Sequence, residues 1–103
     1  MTKTAMVAHL VAIPELTDEV EQILRGLVES TTDESGTEIY VLNRDANQAN
    51  SFWFFELYTD DAALATHGGS AAMADAMVSL DGKLAEAPML TVVTPVQAKG
   101  IGL

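Results

Sequence analysis

Apolar and polar positions change their period several times along this chain, and each change marks an element. Residues 5–13, AMVAHLVAI, form a short apolar run rich in Val and Ile, which predicts a buried strand closed by Pro14. Leu16, Val20, Ile23, Leu24, Leu27 and Val28 then recur at helical spacing, so an amphipathic helix with one core face follows. Thr17 suggests its start, with Asp18 and Glu19 near the positive end of the helix dipole. STTDESG, residues 30–36, is a polar stop ending in glycine. TEIYVLNRD (37–45) and SFWFFELYT (51–59) read as the second and third strands, and the ANQAN loop between them predicts an antiparallel hairpin. Thr59 is placed to cap a short helix through DDAALATH, with Asp60 and Asp61 in its first turn, and Gly68-Gly69 break it. Ser70 is placed to cap the next helix, whose Met73, Met77, Leu80 and Leu84 share one face. APMLTVVTPV (87–96), introduced by Pro88, is a fourth strand, and QAKGIGL is read as a loose tail.

The order β-α-β-β-α-α-β predicts one α+β domain across residues 1–103, built on a ferredoxin-like plan. Side chains alternate along a strand, so Trp53, Phe55 and Leu57 share one face of the third strand, and Phe52, Phe54, Glu56 and Tyr58 share the other. Both faces carry large apolar groups. Helices cover one face of such a sheet, and the chain has none left for the second. A second copy packed through the Trp53, Phe55 and Leu57 face is the expected cover, giving a homodimer.

Composition narrows the partners. Fifteen acids against five bases give a net charge of -10, which argues against nucleic acid and against an anionic membrane surface. The absence of cysteine excludes disulfides, thiolate catalysis and Cys-ligated metal sites. No signal peptide is read at the start, and no run approaches the ~18 apolar residues of a membrane span. A cytoplasmic location is the expectation.

Three polar groups stand out against the apolar pattern. Glu56 lies within a greasy strand, where a carboxylate must be hydrogen-bonded, paired or open to a wet cavity. Tyr40 and Arg44 are possible donors to it. His9 sits in the first strand beside Val7 and Val11, and His67 at a helix end before two glycines. Either histidine can exchange a proton near neutral pH, and either can equally be a satisfied structural residue. Their spacing fits neither HxH nor HExxH, so no metal site is expected. No nucleophile elbow, dinucleotide fingerprint or P-loop is present, and HGGS lacks the preceding strand that a phosphate cradle needs.

FWFFELYTDDAALATH resembles the signature of the antibiotic-biosynthesis monooxygenase domain family: an apolar strand ending in Glu, one residue, an aromatic, then an acidic alanine-rich helix leading to a histidine. Glu56, Tyr58, Asp60, Ala63, Leu64 and His67 stand at those positions, and MVAHLVAIPE and LTVVTPV resemble the family's opening and closing strands. The resemblance covers about residues 5–97. It implies a dimeric α+β barrel with a pocket between sheet and helices. It also implies oxygenases that oxidise quinols or aromatic polyketides with oxygen alone, using no metal, flavin or haem. Tyr58 stands where the family often has tryptophan. The asparagine, tryptophan and histidine of the haem-degrading branch fall at His9, Tyr58 and Met77, and none matches. Of the polyketide oxidases' asparagine, tryptophan, tyrosine and arginine, Trp53 and Tyr58 are the nearby candidates.

The expected function is therefore cofactor-independent oxygenation of a quinol or other reduced aromatic. His67, His9 or Glu56 would be the base, with Tyr58 bonding a substrate oxygen. His9, Phe52, Phe54, Tyr58, Met73 and Met77 would line an apolar pocket. The competing reading is a dimeric module that binds a small apolar ligand without chemistry, with haem binding behind it. A cavity beside Glu56 and His67 separates the first two, because Phe54 and Met77 could instead fill that space.

Overall fold

The computed structural model describes residues 2–103. Its elements are β1 (Thr4–Val11), α1 (Thr17–Ser30), β2 (Thr37–Arg44), β3 (Ser51–Tyr58), α2 (Asp61–Gly68), α3 (Ala71–Leu80) and β4 (Met89–Val93), with single 3₁₀ turns at Pro14–Leu16 and Thr31–Asp33. The strands form one antiparallel sheet in the order β2-β3-β1-β4, which is the ferredoxin-like plan. The apolar strands β1 and β3 are central, as their composition demands, and β4 is an exposed edge.

Helices cover one face. Val20, Leu24 and Leu27 of α1 and Ala76 and Leu80 of α3 pack on Ala8, Leu10, Phe52 and Phe54 of the sheet. The opposite face is open: Phe55 is 51% exposed, and Val41, Met89 and Val93 are also exposed.

Several boundaries differ from the sequence reading, each for a local reason. Thr17 begins α1, but its hydroxyl turns back to the Pro14 carbonyl at 2.8 Å and caps nothing. Asp60, not Thr59, caps α2: its carboxylate accepts from the Ala63 N–H at 2.8 Å, while the Thr59 hydroxyl donates to Glu38 at 2.8 Å. Ser70 does cap α3, accepting from the Met73 N–H at 3.1 Å. Leu84 is not helical. The chain leaves α3 at Leu80 and turns through Gly82 at φ 76°, a conformation open to glycine. Leu84 still reaches the core from a bridge to Ala12.

Leu57 is also not part of the open surface. It lies between Ala5 and Ile39, where the β2–β3 ladder is interrupted, and only 4% of it is exposed. The C-terminal segment returns near this end of the sheet, where Lys3 Nζ donates to the Gly102 carbonyl at 2.9 Å. None of the helices among the described residues is long and apolar enough to cross a membrane.

Candidate functional site

The site sits between the helices and the covered face of the sheet. Its floor comes from strand alternation: Met6, Ala8 and Leu10 of β1, Phe54 and Glu56 of β3, and Tyr40 of β2 all point the same way. Helix α2 forms a wall because Leu64 and His67 lie three apart and so share a helix face. Met73 and Met77 of α3 close another side. Between them lies a cavity of about 390 Å³, lined chiefly by carbon. That volume falls within the range of small-molecule sites, roughly 300–1,000 Å³.

His67 is 1% exposed. Its ring meets the edge of Tyr40 with centroids 4.8 Å apart and lies 5.5 Å from Tyr58. Nδ1 lies 2.8 Å from Glu34 Oε1. Nε2 is buried and has no hydrogen-bond partner among the described residues. The partner of this helix-end histidine is thus a side chain from a distant turn.

Glu56 is 5% exposed and lines the same cavity. Its donor is Tyr58, two residues on along the same face, whose hydroxyl bonds Oε1. The donors suggested by sequence are engaged elsewhere. Tyr40 is the cross-strand partner of Glu56, but its ring stacks on Phe54 at 4.7 Å. Arg44 pairs with Glu21 and lies over the Phe52 ring at 5.4 Å.

Burial raises the Glu56 pKa above its usual 4.5, against the smaller downward pulls of the Tyr58 hydrogen bond and of His67. Burial, first, and the nearby carboxylates push both Tyr40 and Tyr58 above the usual 10.0, so these phenols stay protonated at neutral pH. A raised carboxyl pKa favours the folded state below the ordinary value, and that contribution is lost as pH climbs through the folded one. Glu56→Gln keeps an oxygen for Tyr58 and removes the titration. The urea midpoint of the native chain should therefore fall relative to Glu56→Gln as pH rises from 4.5 upward. Parallel midpoints across that range would show that Glu56 does not titrate as a buried acid.

The structure brings Glu56, His67, Phe54, Met73 and Met77 to one cavity and leaves three other candidates outside its lining. Tyr58 is fully buried and reaches the cavity only through Glu56. Phe52 is core, one strand pair away toward Leu10. His9 lies on the open face, because the antiparallel register sets it opposite Trp53. There it stacks on the indole at 3.9 Å and meets the Ser51 hydroxyl at 2.6 Å, while Trp53 Nε1 donates to Asp45 at 3.0 Å.

Glu34 is the residue that sequence reasoning missed here. Glu34 sits in a polar turn with no pattern to single it out. Tyr40 was singled out as a donor to Glu56, but its place is on the cavity floor against the His67 ring. A second depression of about 500 Å³ lies between α1 and β2, but it is open and is bordered by the Glu21, Arg25 and Arg44 ion pairs. Among the described residues no three His, Cys, Asp or Glu side chains converge as a metal site would require.

The family model described as antibiotic biosynthesis monooxygenase matches residues 4–78. The chain is similar to a solved structure of a candidate antibiotic biosynthesis monooxygenase from Caulobacter crescentus, with 26% identity, 93% of this chain and 92% of that chain covered, and a TM-score of 0.88. Rv0793 of Mycobacterium tuberculosis is 23% identical over 94% of this chain and 98% of that chain, at a TM-score of 0.88. A further candidate antibiotic biosynthesis monooxygenase, from Nitrosomonas europaea, is 15% identical over 96% and 95%, at 0.89. The last two similarities speak to fold alone. No curated protein matches the chain.

Proposed function

The chain belongs to the antibiotic biosynthesis monooxygenase family, and on that premise we propose that it oxidises a quinol or another reduced aromatic with molecular oxygen, using its own side chains and no cofactor. The observation that carries this reading is that His67 lines the apolar cavity while its buried Nε2 has no hydrogen-bond partner among the described residues. A flat apolar molecule would lie between Phe54, Met73 and Met77, where a lining chiefly of carbon favours it over water.

Chemistry follows from those parts. Nε2 takes the phenolic proton of the quinol. The electron-rich anion passes one electron to oxygen, and the resulting pair combines as a carbon–oxygen bond at the adjacent ring carbon. The proton returns from His67 to give a hydroperoxide. Loss of the proton on that carbon, with cleavage of the O–O bond, releases water and leaves a carbonyl. Quinol and oxygen thus become hydroxyquinone and water, and all four electrons come from the substrate. Glu56, fixed by Tyr58, is placed to accept a hydrogen bond from a substrate hydroxyl.

Among the described residues, the cavity lining includes a carboxylate and no Lys or Arg, so it favours an uncharged substrate over a carboxylated or sulfonated one. A second copy is the proposed cover for the open face, whose exposed Phe55, Val41, Met89 and Val93 make an apolar surface. A cytoplasmic setting suits a chain without cysteine. The test is oxygen uptake with a neutral reduced naphthoquinol, in the presence of a chelator and against a no-protein blank. Uptake above the blank that persists with chelator supports the reading. Uptake equal to the blank with both mono- and bicyclic quinols rejects it in favour of a binding role.

A further inference from the structure

We propose that Glu34 is a positioning residue for His67: it holds the ring with the proton on Nδ1 and so leaves Nε2 as the free base of this cavity-lining side chain. The inference rests on the oxygenase reading above and adds a residue outside the cavity lining. Glu34 Oε1 lies 2.8 Å from His67 Nδ1, and the two side chains are 15% and 2% exposed. A carboxylate oxygen only accepts, so the shared hydrogen belongs to Nδ1. The other nitrogen has no partner. A proton placed there would be a buried donor with nothing to bond, which disfavours the alternative tautomer. Which nitrogen of an imidazole is free is set by the bond that the other one makes.

The turn that carries Glu34 is built for this placement. The Thr37 hydroxyl donates to the same Oε1 at 2.9 Å, and the Glu34 N–H and carbonyl are tied to Thr31 and Thr37 at 2.9 and 3.0 Å. The Thr59 N–H donates to the Gly36 carbonyl at 2.9 Å, fastening the turn to the end of β3. A Cβ on Gly36 would stand 2.5 Å from the Ala63 Cβ. Glycine at 36 thus lets the turn lie against α2, one helical turn from His67. The backbone of Gly36 needs no positive φ, so closeness is what the glycine provides. The groups facing His67 from other elements are Tyr40, Tyr58 and Glu56, and none of them has a hydrogen bond to Nε2.

The test is nitrogen NMR of the imidazole rings in the free protein, which has only two histidines. His67→Gln identifies which signals belong to His67. The expected native spectrum has a protonated Nδ1 and an unprotonated Nε2. Glu34→Gln retains an accepting oxygen and should retain that tautomer. Glu34→Ala should give a mixed or reversed one, as should Gly36→Ala, which moves the turn while leaving Glu34 present. In parallel, kcat/KM for a reduced naphthoquinol should fall by about 10²-fold in Glu34→Ala, the scale of a misplaced reacting group, and recover in Glu34→Gln. A native ring protonated on Nε2, or a Glu34→Ala spectrum identical to the native one, overturns the proposal. The spectrum needs no substrate. A failed oxygenation assay therefore counts against the oxygenase reading, and the nitrogen signals decide on Glu34 separately.

Discussion

Replacing His67 with glutamine should lower kcat/KM for a reduced naphthoquinol by about 10²- to 10⁴-fold, the usual worth of a general base. The reason is geometric. Among the described residues, His67 is the one cavity-lining side chain with a buried nitrogen free of partners. The side chains lining the cavity are otherwise carbon and sulfur, apart from Glu56, whose Oε1 is taken by Tyr58, and Tyr40, whose raised pKa keeps it an acid. Glutamine occupies similar space and can still bond Glu34 through its amide, so circular dichroism should show an intact fold. Steady-state oxygen uptake, corrected for autoxidation, gives the number. An unchanged kcat/KM would move proton abstraction to Glu56.

Placing a charge on the open face should have an effect of comparable size on assembly. The native chain is expected to sediment at twice its own mass and Phe55→Asp at one chain mass. Phe55 is half exposed at the centre of the uncovered sheet, flanked across the ladder by Val7 and Val41. A dimer formed there would bury the new carboxylate without a partner. Such a charge costs on the order of 3–5 kcal/mol, which is at least about two decades of Kd. Because the residue is exposed in a single chain, the substitution should change monomer stability only by the strand-propensity difference, about 1 kcal/mol. Sedimentation of both proteins at one chain mass would remove the second copy from the account. Dimers in both would place the interface elsewhere.

The fold was legible because its signals are local and periodic. The helical spacing of Val20, Leu24 and Leu27 and the alternation through Phe52, Phe54 and Glu56 each specify an element and its inward face without reference to the rest of the chain. Boundaries were less so, because Thr59 and Asp60 are both good caps and only the helix's actual start selects between them. The site divides along the same line. Glu56 and His67 could be singled out, one as a carboxylate in an apolar strand and the other as a rare histidine within a family-like signature. His9 was misplaced because its face depends on the register between β1 and β3, and a register joins two distant segments. Glu34 stayed hidden for the same reason: 33 residues separate it from His67, and a polar turn gives no sign of what it touches. The glycine that allows the contact, Gly36, also reads in sequence as an ordinary helix stop.

The most direct test of the central claim is to run the reaction of the native protein under isotopically labelled dioxygen and weigh the product. The account predicts that one labelled oxygen atom appears in the hydroxyquinone, that the other leaves as water, and that no hydrogen peroxide accumulates. A product without label, formed together with peroxide, would contradict it, because the protein would then only hasten removal of electrons from the quinol and insert no oxygen.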